Sequence, residues 1–234
     1  MDRTAYIQDL ARLDLDRKKR SGIPEVVFGE GKTFDQVVTL TRSLAESTGR
    51  AMVTRLQENW LEKLGPTLSP LVVEMNTRGR LAVVRKEDSV IESNMGAIGL
   101  LSAGTADIPI AEEARVVAQE MGCEVIAHFD VGVAGIHRLV KPLEEFFQKQ
   151  VSAVVVVAGM DGTLPTLVKS LIPVPVIGVP TSVGYGYGRA GEAALMTMLH
   201  SCVPGLTVVN IDNGFGGGAT AALIANQTAR AKES

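Results

Sequence analysis

Ile98-Gly99-Leu100-Leu101-Ser102-Ala103-Gly104-Thr105-Ala106-Asp107-Ile108-Pro109 passes from an apolar run straight into small, hydroxyl and acidic residues. A short apolar run with no polar residue alternating through it suits a strand covered on both faces. The same grammar recurs at 124–129, 153–158, 176–179 and 207–211, and stretches long enough for a helix separate the runs. Strands that alternate with helices in this way predict a doubly wound parallel sheet over the C-terminal part of the chain. In such sheets ligands bind beyond the carboxyl ends of the strands, so the residues following each run are where chemistry is to be sought.

Upstream, the pattern differs. Ile7, Leu10, Ala11 and Leu13 suit a short helix face over 4–13, and the charged stretch 14–20 is expected to be exposed. Residues 26–28 read as a strand, and 33–47 as a helix on the spacing of Phe34, Val37, Val38, Leu40, Thr41 and Leu44, ended by Gly49. A strand at 51–54, a helix at 56–64 closed by Gly65-Pro66, and two β-rich runs at 71–75 and 81–84 around the turn residues 76–80 complete a small α+β unit. The polar stretch 85–94 reads as a linker. The expected organisation is therefore an N-terminal α+β domain over 1–90 and a doubly wound α/β domain over 91–234.

Composition narrows the function classes. The formal charge of −3 carries no basic excess for a nucleic-acid backbone. The first twenty residues lack an apolar signal core, and runs such as 151–158 are about half a bilayer span. A cytoplasmic protein with neither nucleic-acid nor membrane partners is expected. Two cysteines, Cys123 and Cys202, and three dispersed histidines supply neither a disulfide framework nor a zinc pattern. Gly31-Lys32-Thr33 resembles the end of a phosphate-binding loop, but the required earlier glycine is Val26.

The connections carry the candidate chemistry. Ser102, Gly104, Thr105 and Asp107 lead into a helix read as starting near Ile110, with Glu112 and Glu113 in its first turn; they suit either a phosphate and ribose site or an ordinary helix cap. After the second run, Asp130-Val131-Gly132-Val133-Ala134-Gly135-Ile136-His137-Arg138 offers a titratable ring and a guanidinium that can clamp an anion. After the third, Gly159-Met160-Asp161-Gly162 sets a carboxylate between glycines, as a site or as a turn. After the fourth, Thr181, Ser182, Gly184 and Tyr185 open a flexible loop with the composition of a lid. Asp212 and Asn213 introduce a glycine-rich start to the last helix that offers amides for an anion. Cys202, just before the last run, reads on its own as a small hydrophobe.

In order and spacing these segments resemble two related families. SAGTADIPIAEEA (102–114), the Gly135-Ile136-His137-Arg138 step, AGMDGTLPTLV (158–168) and PVIGVPTS (175–182) are similar to the PurE-type aminoimidazole ribonucleotide mutases. DVGVAGIHRL (130–139), AGMDGTLP (158–165), VPTSVGYG (179–186), SCVPGLTVVNIDNGFGGG (201–218) and RSGIPEVVFGEGKT (20–33) resemble more closely the LarB family, carboxylase/hydrolases of nickel-pincer nucleotide cofactor biosynthesis, and this likeness runs over nearly the whole chain.

That resemblance implies a PurE-like (flavodoxin-like) C-terminal domain. It also implies the carboxylation of nicotinic acid adenine dinucleotide at ring carbon 5 by carbon dioxide or bicarbonate, with hydrolysis of the phosphoanhydride to release AMP. The product would be pyridinium-3,5-biscarboxylic acid mononucleotide. It further implies Cys202 as the nucleophile, Asp161 as an acidic group near the ring, and Thr105 and Asp107 in the ribose and phosphate loop, with Asp107 counted among the catalytic residues. Gly159, Met160, His137, Arg138, Thr181 and Ser182 fall in matching segments. The chain departs from the family pattern in carrying Ala106 for a hydroxyl residue and Asp161 for a glutamate. PurE-type cores assemble as homo-oligomers, and a homo-oligomer is the expectation here. No tightly bound cofactor is expected; magnesium accompanying the pyrophosphate is the one metal the chemistry suggests, and its ligands are unknown. A PurE-type carboxylase or mutase, and a nucleotide-binding regulatory module without catalysis, are the alternative readings.

Overall fold

The structure, a computed structural model, describes residues 3–7, 10–91, 93 and 96–233, without the side chains of Arg189 and Glu233. Part of the linker read at 85–94, residues 92 and 94, lies outside the described residues. The chain forms two compact units, residues 1–91 and 92–234.

In the first unit β1 (Thr4–Ile7) and β2 (Ala11–Asp14) form an antiparallel hairpin, where a helix was expected over 4–13. Period 2 wins because Ala5 pairs with Leu13 and Ile7 with Ala11, and all four pack on the core, while Arg12 stacks over Tyr6 on the other face at 5.6 Å. A short helix, α1 (Arg17–Ser21), and β3 (Val26–Phe28) follow. The main helix α2 (Phe34–Thr48) starts at a capping box of Thr33 and Gln36 and ends at Gly49. β4 (Arg50–Thr54), β5 (Val72–Asn76) and β6 (Leu81–Arg85) complete a four-stranded sheet of order β3-β4-β6-β5. The helix read as stopping at Gly65-Pro66 is instead a 3-10 turn leading into α3 (Leu61–Leu68), which runs through both residues. Leu64 and Leu68, four apart and fully buried, hold the last turn on the core across the proline.

The second unit is a five-stranded parallel sheet of β7 (Ala97–Ser102), β8 (Glu124–His128), β9 (Ala153–Ala158), β10 (Val176–Pro180) and β11 (Leu206–Val208), in the order β11-β10-β9-β7-β8. Every pair in it is parallel. β11 stops short of the run read to 211, since the Asn210 side chain accepts the Ile211 N–H and Asp212 turns into a left-handed conformation.

Both faces are covered. Val154, Val156 and Ala158 of β9 pack with Phe146 of α5 (Val140–Gln148), Val168 of α6 (Leu164–Leu171) and Met198 of α7 (Glu192–Leu199). Val155, Ile177 and Val179 face α8 (Gly214–Glu233) on the other side, which also packs on α4 (Ile108–Glu120). α8 approaches so closely that a Cβ on Gly217 would stand 2.5 Å from Val179 Cγ2, and one on Gly218 2.3 Å from the Ala114 carbonyl. The glycines read as an anion-binding start to the last helix are therefore packing residues. α4 begins at Ile108, two residues before the expected start, so Glu112 and Glu113 lie beyond its first residues and are buried.

Candidate active site

The strand order places the topological switch point between β7 and β9, where chains wound in opposite directions leave a crevice at the carboxyl edge. A cavity of about 650 Å³ lies there, within the range of small-ligand sites. Its lining comes from the connections after β7 (residues 103–107), β8 (130–138), β9 (158–164) and β10 (183–185). Of the side chains singled out from the sequence, Thr105, Asp107, Arg138, Met160, Asp161 and Tyr185 line it, together with Gly104, Gly159 and Gly184.

Asp107 forms the floor. It closes a 3-10 turn, Thr105–Asp107, and is only 4% exposed. Its Oδ2 accepts the Gly104 N–H at 2.9 Å, its Oδ1 accepts the Thr181 hydroxyl at 2.7 Å, and the Gly159 N–H also bonds to it. Burial pushes its pKa above the ordinary aspartate value, against the pull of these hydrogen bonds from Thr181, Gly104 and Gly159, while the nearby charge of Asp212 pushes the same way as burial.

Arg138 lies in the 3-10 segment Val133–Leu139. Its guanidinium donates to the carbonyls of Asp130, at 2.6 Å, and Gly132, and stands 3.2 Å from the Asp130 carboxylate. Several donors of the fork are thus used to set its plane at the cavity wall. Asp130 itself, a lining residue with φ 58°, was missed from the sequence; the signal available was its place directly after a strand at the switch point.

Asp161 is exposed at the rim and its Oδ1 accepts the Thr163 N–H at 3.3 Å, steadying the entry to α6. Met160 before it has φ 51°, and its N–H donates to the Val183 carbonyl at 3.0 Å, joining the connections after β9 and β10. The walls are otherwise small and apolar, with Ala103, Ala106, Val133, Ala134, Leu164 and Val183 among them. These residues carry no chemical signature of their own; their place follows from the topology and from the segments that resemble the family.

Other expected site residues are placed elsewhere. Ser102 is fully buried: its hydroxyl donates to the Gly104 carbonyl and accepts the Asp130 N–H, tying two connections together. Thr181 is likewise inward, on Asp107. Ser182 is exposed and its N–H donates to Asp212 Oδ1 at 2.8 Å; Asn213 Oδ1 accepts the Gly216 N–H at 2.8 Å, capping α8, and Glu113 accepts the Phe215 N–H. The amides at this helix end are therefore engaged within the protein. His137 is exposed and outside the cavity lining.

Cys202 is exposed on the connection from α7 into β11 and does not line the cavity. Next to it, the Ser201 hydroxyl oxygen accepts bonds from the Thr166 hydroxyl at 3.0 Å and the Val203 N–H at 3.3 Å, which pin the connection. The other thiol, Cys123, is buried against Asn226 Oδ1 at 3.2 Å, and burial pushes its pKa up to about 11. Among the described residues no group of three or more His, Cys, Asp or Glu could hold a metal ion, and no helix is long and apolar enough to cross a membrane.

Residues 97–234 match the family described as AIR carboxylase, and residues 6–86 match the LarB/PurE-like N-terminal domain. An uncharacterized protein of Methanocaldococcus jannaschii is 42% identical over 224 residues, covering 94% of this chain and 85% of that protein. The N5-carboxyaminoimidazole ribonucleotide mutase of the same organism is 33% identical over 120 residues, covering 50% of this chain and 71% of the mutase.

Proposed function

The chain belongs to the LarB family, with a LarB/PurE-like N-terminal domain ahead of a PurE-like carboxylase domain, and from that membership we propose that it carboxylates the pyridinium ring of nicotinic acid adenine dinucleotide at carbon 5 and hydrolyses its phosphoanhydride. The products are pyridinium-3,5-biscarboxylic acid mononucleotide and AMP. The observation that carries this reading is the switch-point cavity itself, which sets a guanidinium, Arg138, and a rim carboxylate, Asp161, around a floor formed by Asp107 and small apolar walls. Such a wall accepts a flat ring, and the guanidinium suits a phosphate.

A pyridinium ring is electron-poor and does not attack carbon dioxide. Addition of a thiolate to the ring gives a dihydropyridine in which carbon 5 is the nucleophilic end of an enamine; its electron pair forms the new carbon–carbon bond to carbon dioxide. A base then takes the carbon 5 proton, and expulsion of the thiolate restores the aromatic ring. Asp161 is the base in this scheme, poised at the rim. Cys202 supplies the sulfur. Since it is exposed and outside the cavity of its own chain, the thiolate in this reading comes from a second copy, in a homo-oligomer. Arg138 holds the phosphate next to the ring. Magnesium, in the same reading, arrives with the pyrophosphate rather than in a protein cage.

The test is incubation of the full chain with nicotinic acid adenine dinucleotide and bicarbonate, with nucleotide products followed by mass spectrometry. AMP together with a dicarboxylated ring mononucleotide is expected. Turnover of aminoimidazole ribonucleotide in place of this substrate would overturn the reading in favour of the mutase chemistry, and binding without any product would overturn it in favour of a regulatory module.

A further inference from the structure

Three connections meet on one carboxylate. Asp107 follows β7, Gly159 follows β9 and Thr181 follows β10, and these three strands are consecutive neighbours in the sheet. The Gly104 N–H, the Gly159 N–H and the Thr181 hydroxyl all donate to the Asp107 carboxylate, whose residue is almost wholly buried. The fit leaves no spare room: a Cβ on Gly159 would stand 2.6 Å from Thr181 Oγ1 and 3.2 Å from Asp107 Oδ1. A carboxylate offers about four acceptor positions, and three of those on Asp107 are filled from within the protein.

We infer that Asp107 is a positioning residue, a clamp that locks the connections after β7, β9 and β10 into one arrangement and so fixes where the backbone of Met160 and Asp161 stands at the cavity rim. The route is short. Gly159 directly precedes Met160, whose left-handed backbone is held by the Val183 carbonyl, and the Asp161 side chain bonds within the same connection to the Thr163 N–H. Asp161 is thus placed by its connection, and the connection is placed by Asp107. Hydrogen bonds to an ionised acceptor away from water are stronger than neutral ones, so a carboxylate suits the task better than an amide. The clamp belongs to the folded chain and stands whichever ring the cavity accepts.

The test needs no substrate: amide hydrogen exchange by NMR on the full chain, comparing wild type with Thr181→Val, Thr181→Ser and Asp107→Asn. Thr181→Val removes one hydrogen bond while keeping the side-chain shape. If the clamp is real, the amides of Gly104 and Gly159, on connections the substitution does not touch, exchange about five- to tenfold faster. Val155, in the strand core, keeps its wild-type rate. Thr181→Ser restores slow exchange at both glycines, and Asp107→Asn loosens all three connections together. Acceleration confined to the connection after β10, or a serine variant that behaves as the valine one, would overturn the inference.

Discussion

Gly104, Gly159 and Gly184 all line the cavity, yet they should respond differently to the same substitution. A Cβ on Gly159 would stand 2.3 Å from the Val183 carbonyl and 2.6 Å from the Thr181 hydroxyl, both closer than real Cβ contacts come, and neither neighbour is the end of a flexible chain. On Gly104 and Gly184 the nearest atoms lie at 3.5 Å, an ordinary contact, and neither has a left-handed backbone. Overpacking of this kind costs about 1–3 kcal/mol, and the connection must also give up hydrogen bonds to Asp107, for a total of about 2–4 kcal/mol. For a chain of this size that corresponds to a fall in Tm of roughly 4–15 °C. Gly104→Ala and Gly184→Ala should stay within about 0.5 kcal/mol of wild type. Thermal unfolding of the three variants followed by circular dichroism, together with the carboxylation assay, reads the difference. Gly159→Ala melting with wild type, or all three variants losing the same stability, would show that the connections are not held as described.

Asp161→Asn keeps the acceptor for the Thr163 N–H and an exposed position, so carboxylation should fall by about 100-fold or more with Tm unchanged; a wild-type rate would remove Asp161 as the base. Arg138→Gln should weaken binding of nicotinic acid adenine dinucleotide by about 10- to 100-fold, measured by calorimetry, and unaltered affinity would take the phosphate away from Arg138. Because burial raises the Asp107 pKa, the native chain keeps that proton to a higher pH than the unfolded chain does; the stabilisation is full below the ordinary aspartate value and is lost as pH rises through the native one. Urea unfolding across that window should therefore show wild type losing stability relative to Asp107→Asn as pH rises, and a constant difference would contradict the burial argument. Cys202→Ser and Asp161→Asn chains, each inactive alone, should recover carboxylation when assembled together, and verified mixed assemblies without activity would refute delivery of the sulfur from a second copy.

The five-stranded sheet was legible because its strands are apolar without alternation, a pattern that only a doubly covered position tolerates, and because the connections between them are helix-length. The N-terminal hairpin was not: Ile7, Leu10, Ala11 and Leu13 satisfy a helical spacing nearly as well as an alternating one, and what decides between them is the pairing of Ala5 with Leu13, a contact between two short segments. Pro66 misled in the opposite direction, since a local breaker yields when Leu64 and Leu68 are both needed in the core. The location of the cavity followed from topology alone, whereas the direction in which each polar side chain points did not. Ser102 and Thr181 look the same on paper as Thr105, yet the first two turn inward to hold connections and only the third lines the space.

Asp107 shows why such directions resist reading from sequence. An aspartate after a strand, beside glycine and threonine, satisfies a ribose site, a helix cap and a clamp equally well, because each needs a short side chain with two strong acceptors. The choice depends on donors that lie 52 and 74 positions further along the chain, at Gly159 and Thr181. Burying that carboxylate works against stability when it is ionised, as the direction of its pKa shift records. A neutral residue would avoid that cost, but it would leave donors from adjoining strands facing one another without an acceptor. The charge is therefore best understood as the means by which three strand ends are brought to one point, and the cavity inherits its shape from that convergence.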